Sequence, residues 1–289
     1  MSAAGRVTVV TVTYDSAAVI GQCLGSIPKG VPVIVVDNAS GDGTRAQVHA
    51  ARADAHLIEN THNAGFGRGC NQGAAAAATE FVFFLNPDAA LDPETIAALV
   101  ACADRNPCAA LFGPRILGLD DRPETSWDAP LFERARMPPH DNTVPEGDAC
   151  VGFLSGAALL WRAESGAGPG PFDPFIFLFY DDDDLCLRLR RAGRALIYVA
   201  AATVRHFPGR GSPDTARIQW RRSVHMAWSR LYLEEKYQGG AALLAARSAL
   251  RFGLKCAGYA LSGERTKTRR DAARFWGTVQ WLAGVRRMR

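Results

Sequence analysis

No C-x-x-C pair occurs among the seven cysteines, and an odd number at irregular spacing suits neither a closed zinc site nor a secreted disulfide framework. A reducing compartment is therefore expected. Long apolar runs are missing too. The first, Val7 to Val12, is too short for a signal peptide, and Met1 to Arg6 supplies no basic leader, so export is not expected. The first strand-like segment ends in Tyr14-Asp15-Ser16 and not in G-x-G-x-x-G, which argues against a dinucleotide-dependent oxidoreductase. An EF-hand over residues 37–49 fails because an alignment from Asn38 puts His49 where the bidentate Glu belongs. Basic residues are scarce in the first part of the chain: residues 1–204 carry 15 Lys/Arg against 24 Asp/Glu, and residues 205–289 carry 18 against 5. An acidic body of −9 thus bears a basic tail of +13, which points to an anionic partner, either a membrane surface or a nucleic acid.

What is present is ample apolar material, 48% of 289 residues, enough for a large core in one or two domains. The β-branched run Val7 to Thr13 predicts a strand buried on both faces, followed by a helix over 16–27. Val31 to Val36 predicts a second strand, with Gly41 to Thr44 turning into a helix through about Arg52. His56 to Glu59 is a short third strand. The Gly-rich stretch Asn63 to Gly69 opens an Ala-rich helix to Ala78, and Phe81 to Leu85 is a fourth strand that stops at Asn86-Pro87-Asp88. This β-α alternation predicts an α/β fold with a largely parallel central sheet flanked by helices. Residues 119–150, rich in Pro, Asp and Glu, read as a surface excursion. A strand over Ala158 to Arg162, a turn-rich link over Gly166 to Pro171 and a helix over Asp181 to Arg191 follow, the helix with acids first and arginines last as its dipole prefers.

Residues 218–289 differ in character. Leu243, Leu250, Leu254, Ala257 and Leu261 share one helical face, while Arg247, Arg251 and Lys255 recur four apart on another. Three charges there argue against a membrane span, and Phe275, Trp276, Val279 and Trp281 in the last segment, 268–289, suit an interfacial helix. Two readings stay open: amphipathic helices on an anionic membrane, or helices that pack on the body or mediate a homodimer. No RNA- or DNA-binding motif interrupts the tail, so no nucleic-acid partner is expected.

In an open parallel sheet, ligands bind beyond the carboxyl ends of the strands. Tyr14-Asp15, Asp37 and Asn86-x-Asp88 lie just past such ends. Asn86 and Asp88 alternate onto one face of an extended segment, a sparse oxygen set for a hard divalent cation that takes its other ligands from phosphates. A turn-capping role for Asp88, and an Asx turn for Asp37, are the plain alternatives. The run Asp181 to Asp184 crowds four carboxylates, so burial of one raises its pKa and suits a general base; a solvated first helical turn is the alternative. Four adjacent acids on one turn cannot all face one ion, which argues against a metal-dependent phosphohydrolase. His206, after the apolar run 200–204, is either a metal ligand or a half-buried histidine.

Seven ordered motifs together carry a family resemblance: V-T-V-V-T-V-T-Y-D, V-I-V-V-D-N-A-S-G-D-G-T, N-A-G-F-G-R-G-C-N-Q-G, F-F-L-N-P-D-A, F-L-S-G-A, F-L-F-Y-D-D-D-D-L-C-L-R-L-R-R-A-G and V-R-H-F. Over about residues 6–212 the chain resembles family 2 glycosyltransferases of the rhamnosyltransferase-like branch. That resemblance implies a GT-A fold and inverting transfer of rhamnose or another hexose from a nucleotide-diphosphate donor, with Mg2+ or Mn2+, to a glycan or polyprenyl-linked acceptor in cell-surface polysaccharide synthesis. It implies a catalytic domain over 1–217, with a donor half to about 118 and an acceptor half from about 119, and a helical tail over 218–289. Carried over by motif, Thr13, Tyr14 and Asp37 surround the base and ribose. Asn63, Gly65, Gly67 and Asn86 line the donor pocket, and Asp88 and His206 serve the metal. Asp182 is the general base, Ser155, Gly156 and Asp181 face the acceptor, and Asp183, apolar or small in the family pattern, is expected to tolerate Asn. The expected place is cytoplasmic, peripheral on the inner face of the plasma membrane. The competing reading is a catalytically inactive nucleotide-sugar-binding or scaffold protein.

Overall fold

The computed structural model describes residues 2–134, 144–163, 170–207, 209 and 211–285. The expected link over Gly166 to Pro171 and the terminal arginines at 286, 287 and 289 fall largely outside these residues.

The parallel part follows the sequence pattern closely. Strands β1 (Val7–Thr13), β2 (Val33–Asp37) and β4 (Phe81–Leu85) are buried throughout, because strands covered by helices on both faces must be apolar along their whole length. Helices α1 (Ile20–Ser26), α2 (Thr44–Ala51) and α3 (Phe66–Ala76) make the crossovers, with β3 (His56–Glu59) on the edge. Beyond the 3-10 turn at Ala3–Arg6, β1 pairs in parallel with β2 on one side and β4 on the other, in register Thr13 with Asp37 and Val10 with Phe84. The chain therefore runs outward to β3 and returns across β1 to β4, which makes the carboxyl ends of β1 and β4 the switch point of the sheet. Gly69 and Gly73 let α3 lie directly on β1: a Cβ on Gly69 would stand 2.8 Å from Val12, and one on Gly73 2.3 Å from Val10.

The second half adds strands of both directions. These are β5 (Ala89–Leu91), β6 (Ala109–Leu117), β7 (Pro123–Glu124), β8 (Trp127–Asp128), β9 (Ala149–Cys150), β10 (Phe153–Leu154), β11 (Ala158–Arg162) and β12 (Ala195–His206). Helices α4 (Thr95–Arg105), α5 (Leu131–Arg134) and α6 (Asp181–Arg191) connect them. The sheet order is β3-β2-β1-β4-β11-β6-β12-β5, with β11 antiparallel to both neighbours and β12 parallel to β6. The excursion expected over 119–150 thus carries short paired segments, and its residues 135–143 lie outside the described part. Phe81, Phe83, Phe84 and Phe112 are fully buried, and Phe84 meets Phe172 edge-on at 5.1 Å between ring centroids.

Two compact units share the chain: 1–64, 68–172 and 182–212 form one, and 65–67, 173–181 and 213–289 the other. The second unit is built on α7 (Ala216–Tyr237), α8 (Ala241–Leu261) and α9 (Arg265–Leu282). Gly277 allows α9 against α7, since a Cβ there would stand 2.3 Å from the Val224 carbonyl oxygen. Trp228 stacks on Tyr232 and donates from Nε1 to the Val285 carbonyl at 2.8 Å. The buried Asp173 accepts from Tyr232 Oη at 2.9 Å and from Lys236 Nζ at 2.6 Å. Along α8 the leucine stripe stays in solvent, with Leu250 and Leu254 each 66% exposed. None of the described helices is long and apolar enough to cross a membrane.

Candidate active site at the carboxyl ends of the strands

The loops after β1 and β2 are laced to one another. Thr13 Oγ1 donates to Asp37 Oδ1 at 2.9 Å, and the Ser40 amide donates to Asp37 Oδ2 at 3.0 Å. Both Thr13 and Asp37 are fully buried, so the Asp37 carboxylate is already engaged in shaping its own loop. Asp15 and Ala39 hold positive φ, 52° and 60°, a conformation that other contacts must stabilise in residues with a Cβ. For Asp15 those contacts are the Gly41 amide on Oδ1 at 2.7 Å and its own amide on Ser40 Oγ at 2.9 Å. Asp42 receives the Thr44 hydroxyl and the Ala17 and Thr44 amides. Burial pushes its pKa up, and these hydrogen bonds outweigh that push and hold it low.

Sequence reasoning missed the return of residues 211–212 to this end of the sheet. Ser212 Oγ donates to the Tyr14 carbonyl at 2.6 Å, and Ser16 Oγ donates to the Gly211 carbonyl at 2.6 Å. The Gly211 amide donates to Asp88 Oδ2 at 2.8 Å. The only signal was the short Gly-Ser run after His206.

Beyond β4, Asn86 is fixed through its backbone, its amide donating to the Ala157 carbonyl at 3.0 Å. Asp88 is 7% exposed, and its carbonyl accepts from the Phe207 amide at 2.8 Å, which ties it to the end of β12. His206 comes from that end, because β12 pairs with β5 in register His206 with Ala89. Its Nε2 stands 3.6 Å from Asp88 Oδ1, and its Nδ1 lies 3.2 Å from Glu124 Oε2. Burial pulls the His206 pKa down, and the hydrogen bonds and charges of Asp88 and Glu124 overcome it, leaving the pKa raised. Glu124, on the two-residue β7, was also missed; no local pattern marks it.

No cluster of three or more His, Cys, Asp or Glu arranged around a metal occurs among the described residues. The pair Asp88 and His206 still fits a divalent cation. One Asp88 oxygen stands 3.6 Å from His206 Nε2, and a hard ion bound to a diphosphate needs few protein ligands.

The four acids of α6 take separate roles. Asp182 Oδ2 accepts from the Gly156 amide and Oδ1 from the Asp183 amide, both at 2.9 Å. Burial raises its pKa from the ordinary aspartate value, although the residue remains partly open to solvent. A Cβ on Gly156 would lie 3.2 Å from the Asp182 side chain, close enough that the carboxylate would have to shift by a few tenths of an ångström. Ser155 beside it donates its amide to the Ser126 carbonyl at 2.9 Å. Asp183 is buried and pairs with Arg134 Nη2 at 2.7 Å, while Arg134 also reaches Asp128 at 3.0 Å and covers the Phe153 ring. The expectation that Asp183 tolerates Asn is therefore corrected: its charge neutralises a guanidinium. Asp184, fully buried, pairs with Arg188 at 2.7 Å one turn on. Asp181 is buried and belongs to the second unit.

The structure brings together Thr13 with Asp37, Asp88 with His206, and Gly156 with Asp182. Asn63 is half-buried in the first unit. Gly65 and Gly67 are buried residues of the second unit, where Gly65, at φ 95°, passes so near Phe177 that a Cβ would lie 2.5 Å from its carbonyl oxygen.

A sheet with this switch point, helices on its faces and these acids at its strand ends defines a GT-A glycosyltransferase fold. Solved structures share it. The mannosyltransferase PcManGT from Pyrobaculum calidifontis, in complex with GDP-Man and Mn2+, matches with a TM-score of 0.56 over 96% of this chain and 87% of its own, at 20% identity. S. aureus TarS 1–349 in complex with UDP matches at 0.54 over 96% and 92%, at 16% identity. The chain belongs to glycosyl transferase family 2, whose match spans residues 8–162. It is 27% identical to the N-acetylglucosaminyl-diphospho-decaprenol L-rhamnosyltransferase of Mycobacterium tuberculosis, over 84% of this chain and 94% of that one. It is 30% identical to the pre-mycofactocin glycosyltransferase of the same species, over 69% of this chain and 42% of that protein.

Proposed function

We propose that this glycosyltransferase moves rhamnose or another hexose from a nucleotide-diphosphate donor, with inversion, to a hydroxyl of a polyprenyl-diphosphate-linked or related glycan. The observation that carries the reading is Asp182, a carboxylate of raised pKa held by two backbone amides at the start of α6. Such a group accepts the proton of the acceptor hydroxyl as that oxygen attacks the anomeric carbon, and one base without a covalent nucleophile gives inversion. Ser155, Gly156 and Asp181 then serve the acceptor, and Thr13, Tyr14, Asp37, Asn63, Gly65, Gly67 and Asn86 the donor. Asp88 and His206 would hold Mg2+ or Mn2+, which when bound offsets the charge that develops on the leaving diphosphate. The relative of 27% identity, whose name specifies a decaprenol-diphosphate-linked sugar and L-rhamnose, supports the acceptor and sugar classes.

Within this reading residues 1–217 catalyse and the tail, 218–289, rests on an anionic membrane at its cytoplasmic face, as its +13 charge over 205–289 and its exposed Leu250, Leu254 and Trp276 favour. The test is transfer from a panel of nucleotide sugars to polyprenyl-diphosphate-linked N-acetylglucosamine, with Mg2+, with Mn2+ and with EDTA, and with the product anomer read by NMR. Retention of configuration refutes the single-base mechanism. Donor binding without turnover on any acceptor favours the inactive binding protein.

A further inference from the structure

Within the second unit, α7 and α9 flank an open pocket of about 290 Å³ lined by Gln219, Trp220, Arg222, Ser223, Thr266, Arg269 and Arg270. Three arginines beside one pocket concentrate positive charge there, which an anion would offset. Arg270 has one in the buried Asp271, its Nε lying 3.2 Å from Oδ1, and Asp271 is shared with Arg274. Glu264, at the start of α9, is taken by Lys267. Arg222 and Arg269 make no hydrogen bond or ion pair with any described residue. The wall of this pocket therefore includes two arginines with no counter-charge among the described residues, two hydroxyl-bearing residues and a tryptophan. Guanidinium forks match phosphate oxygens in bidentate pairs, and hydroxyls complete such a shell.

We propose that this cavity binds the phosphate headgroup of a membrane lipid. The lipid source follows from the same unit. Leu250 and Leu254 on α8 and Trp276 on α9 are exposed, and Arg247, Arg251 and Lys255 share α8 with the leucines. Apolar side chains, indoles and basic residues together suit the depth in a bilayer where phosphates lie. The inference rests on the membrane reading above only for the source of the phosphate.

Full-length protein titrated calorimetrically with inorganic pyrophosphate in EDTA, which removes metal-bridged binding at Asp88, tests the cavity. Flotation with phosphatidylglycerol vesicles, against phosphatidylcholine vesicles, tests the source. Arg222→Gln/Arg269→Gln should weaken pyrophosphate by about tenfold or more, the loss of two charge-assisted contacts. Arg247→Gln/Arg251→Gln, the same charge change on α8, should leave pyrophosphate affinity unchanged. The cavity variant should also float less with phosphatidylglycerol, and pyrophosphate should compete with wild-type flotation. Failure of the wild type to bind pyrophosphate, an unchanged affinity in the cavity variant, or an equal loss in both double variants overturns the cavity as a phosphate site. Loss of pyrophosphate binding with flotation intact overturns the lipid source and assigns a soluble polyphosphate instead, leaving the membrane reading to the α8 stripe alone.

Discussion

Mild acid should weaken the helical unit through His225. The ring is 2% exposed, stacks on Phe177 at 4.2 Å between centroids, and its buried Nδ1 has no hydrogen-bond partner among the described residues. Burial first, and the charge of Arg221 second, push its pKa from 6.5 down to about 3. In the unfolded chain the imidazole returns to its ordinary value. Below that pH the unfolded state binds a proton that the native state refuses, so stability falls as pH falls, down to about the native pKa. Linkage over this gap gives a loss on the order of 1 kcal/mol at pH 5.5 and about 2–3 kcal/mol at pH 4.5, relative to neutral pH. Denaturant unfolding followed by tryptophan fluorescence reads this unit well, since Trp220, Trp228, Trp276 and Trp281 all belong to it. His225→Phe keeps an aromatic ring against Phe177 and cannot titrate. Between pH 7.5 and 5.5 the wild type should lose on the order of 1 kcal/mol more than this variant. Parallel pH profiles would refute the reasoning, because they require the buried ring to accept its proton in the folded state.

Asp182→Asn should lower transfer by about 10² to 10⁴-fold while donor affinity, by calorimetry, changes little, since the base acts on the acceptor hydroxyl. Because the base must be ionised and burial raises its pKa, the wild-type rate should fall with decreasing pH through a limb above the usual aspartate range, and wild-type turnover in the variant would remove Asp182 from the mechanism. Asp88→Ala should abolish Mn2+-dependent donor binding; equal affinity with Mn2+, with EDTA and in the variant moves the metal site elsewhere. Asp183→Asn removes the carboxylate nearest Arg134, leaving Asp128 at 3.0 Å as its remaining ion-pair partner among the described residues. Because Arg134 is 26% exposed, the expected cost is about 1–2 kcal/mol, below that of a fully buried pair, as a drop in the denaturation midpoint at constant slope.

The parallel half of the molecule was legible because its signals are local. A β-branched run, a capped turn and an Ala-rich helix each declare themselves within a dozen residues, and a βαβ repeat leaves few topologies open. So Val7–Thr13, the crossover helices and Phe81–Leu85 stand where the pattern predicts, and Thr13, Asp37 and Asp88 stand at strand ends. The α6 helix was legible for the same reason, from acids at its start and arginines at its end.

Long-range pairing decided the rest. Nothing in Ala158–Arg162 says that it inserts antiparallel between β4 and β6, since either direction buries the same apolar side chains. Glu124 and Gly211 gain their places beside His206 and Asp88 only because β7 pairs with β6 and the chain after β12 folds back over the strand ends. The sequence by itself determined which segments are strands and helices and put four carboxylates in a row, because backbone preference and hydrophobic period act over short distances. Only the tertiary structure decided that Asp182 is held by Gly156, Asp183 by Arg134 and Asp184 by Arg188, because a charge takes its role from the partner that folding brings within reach.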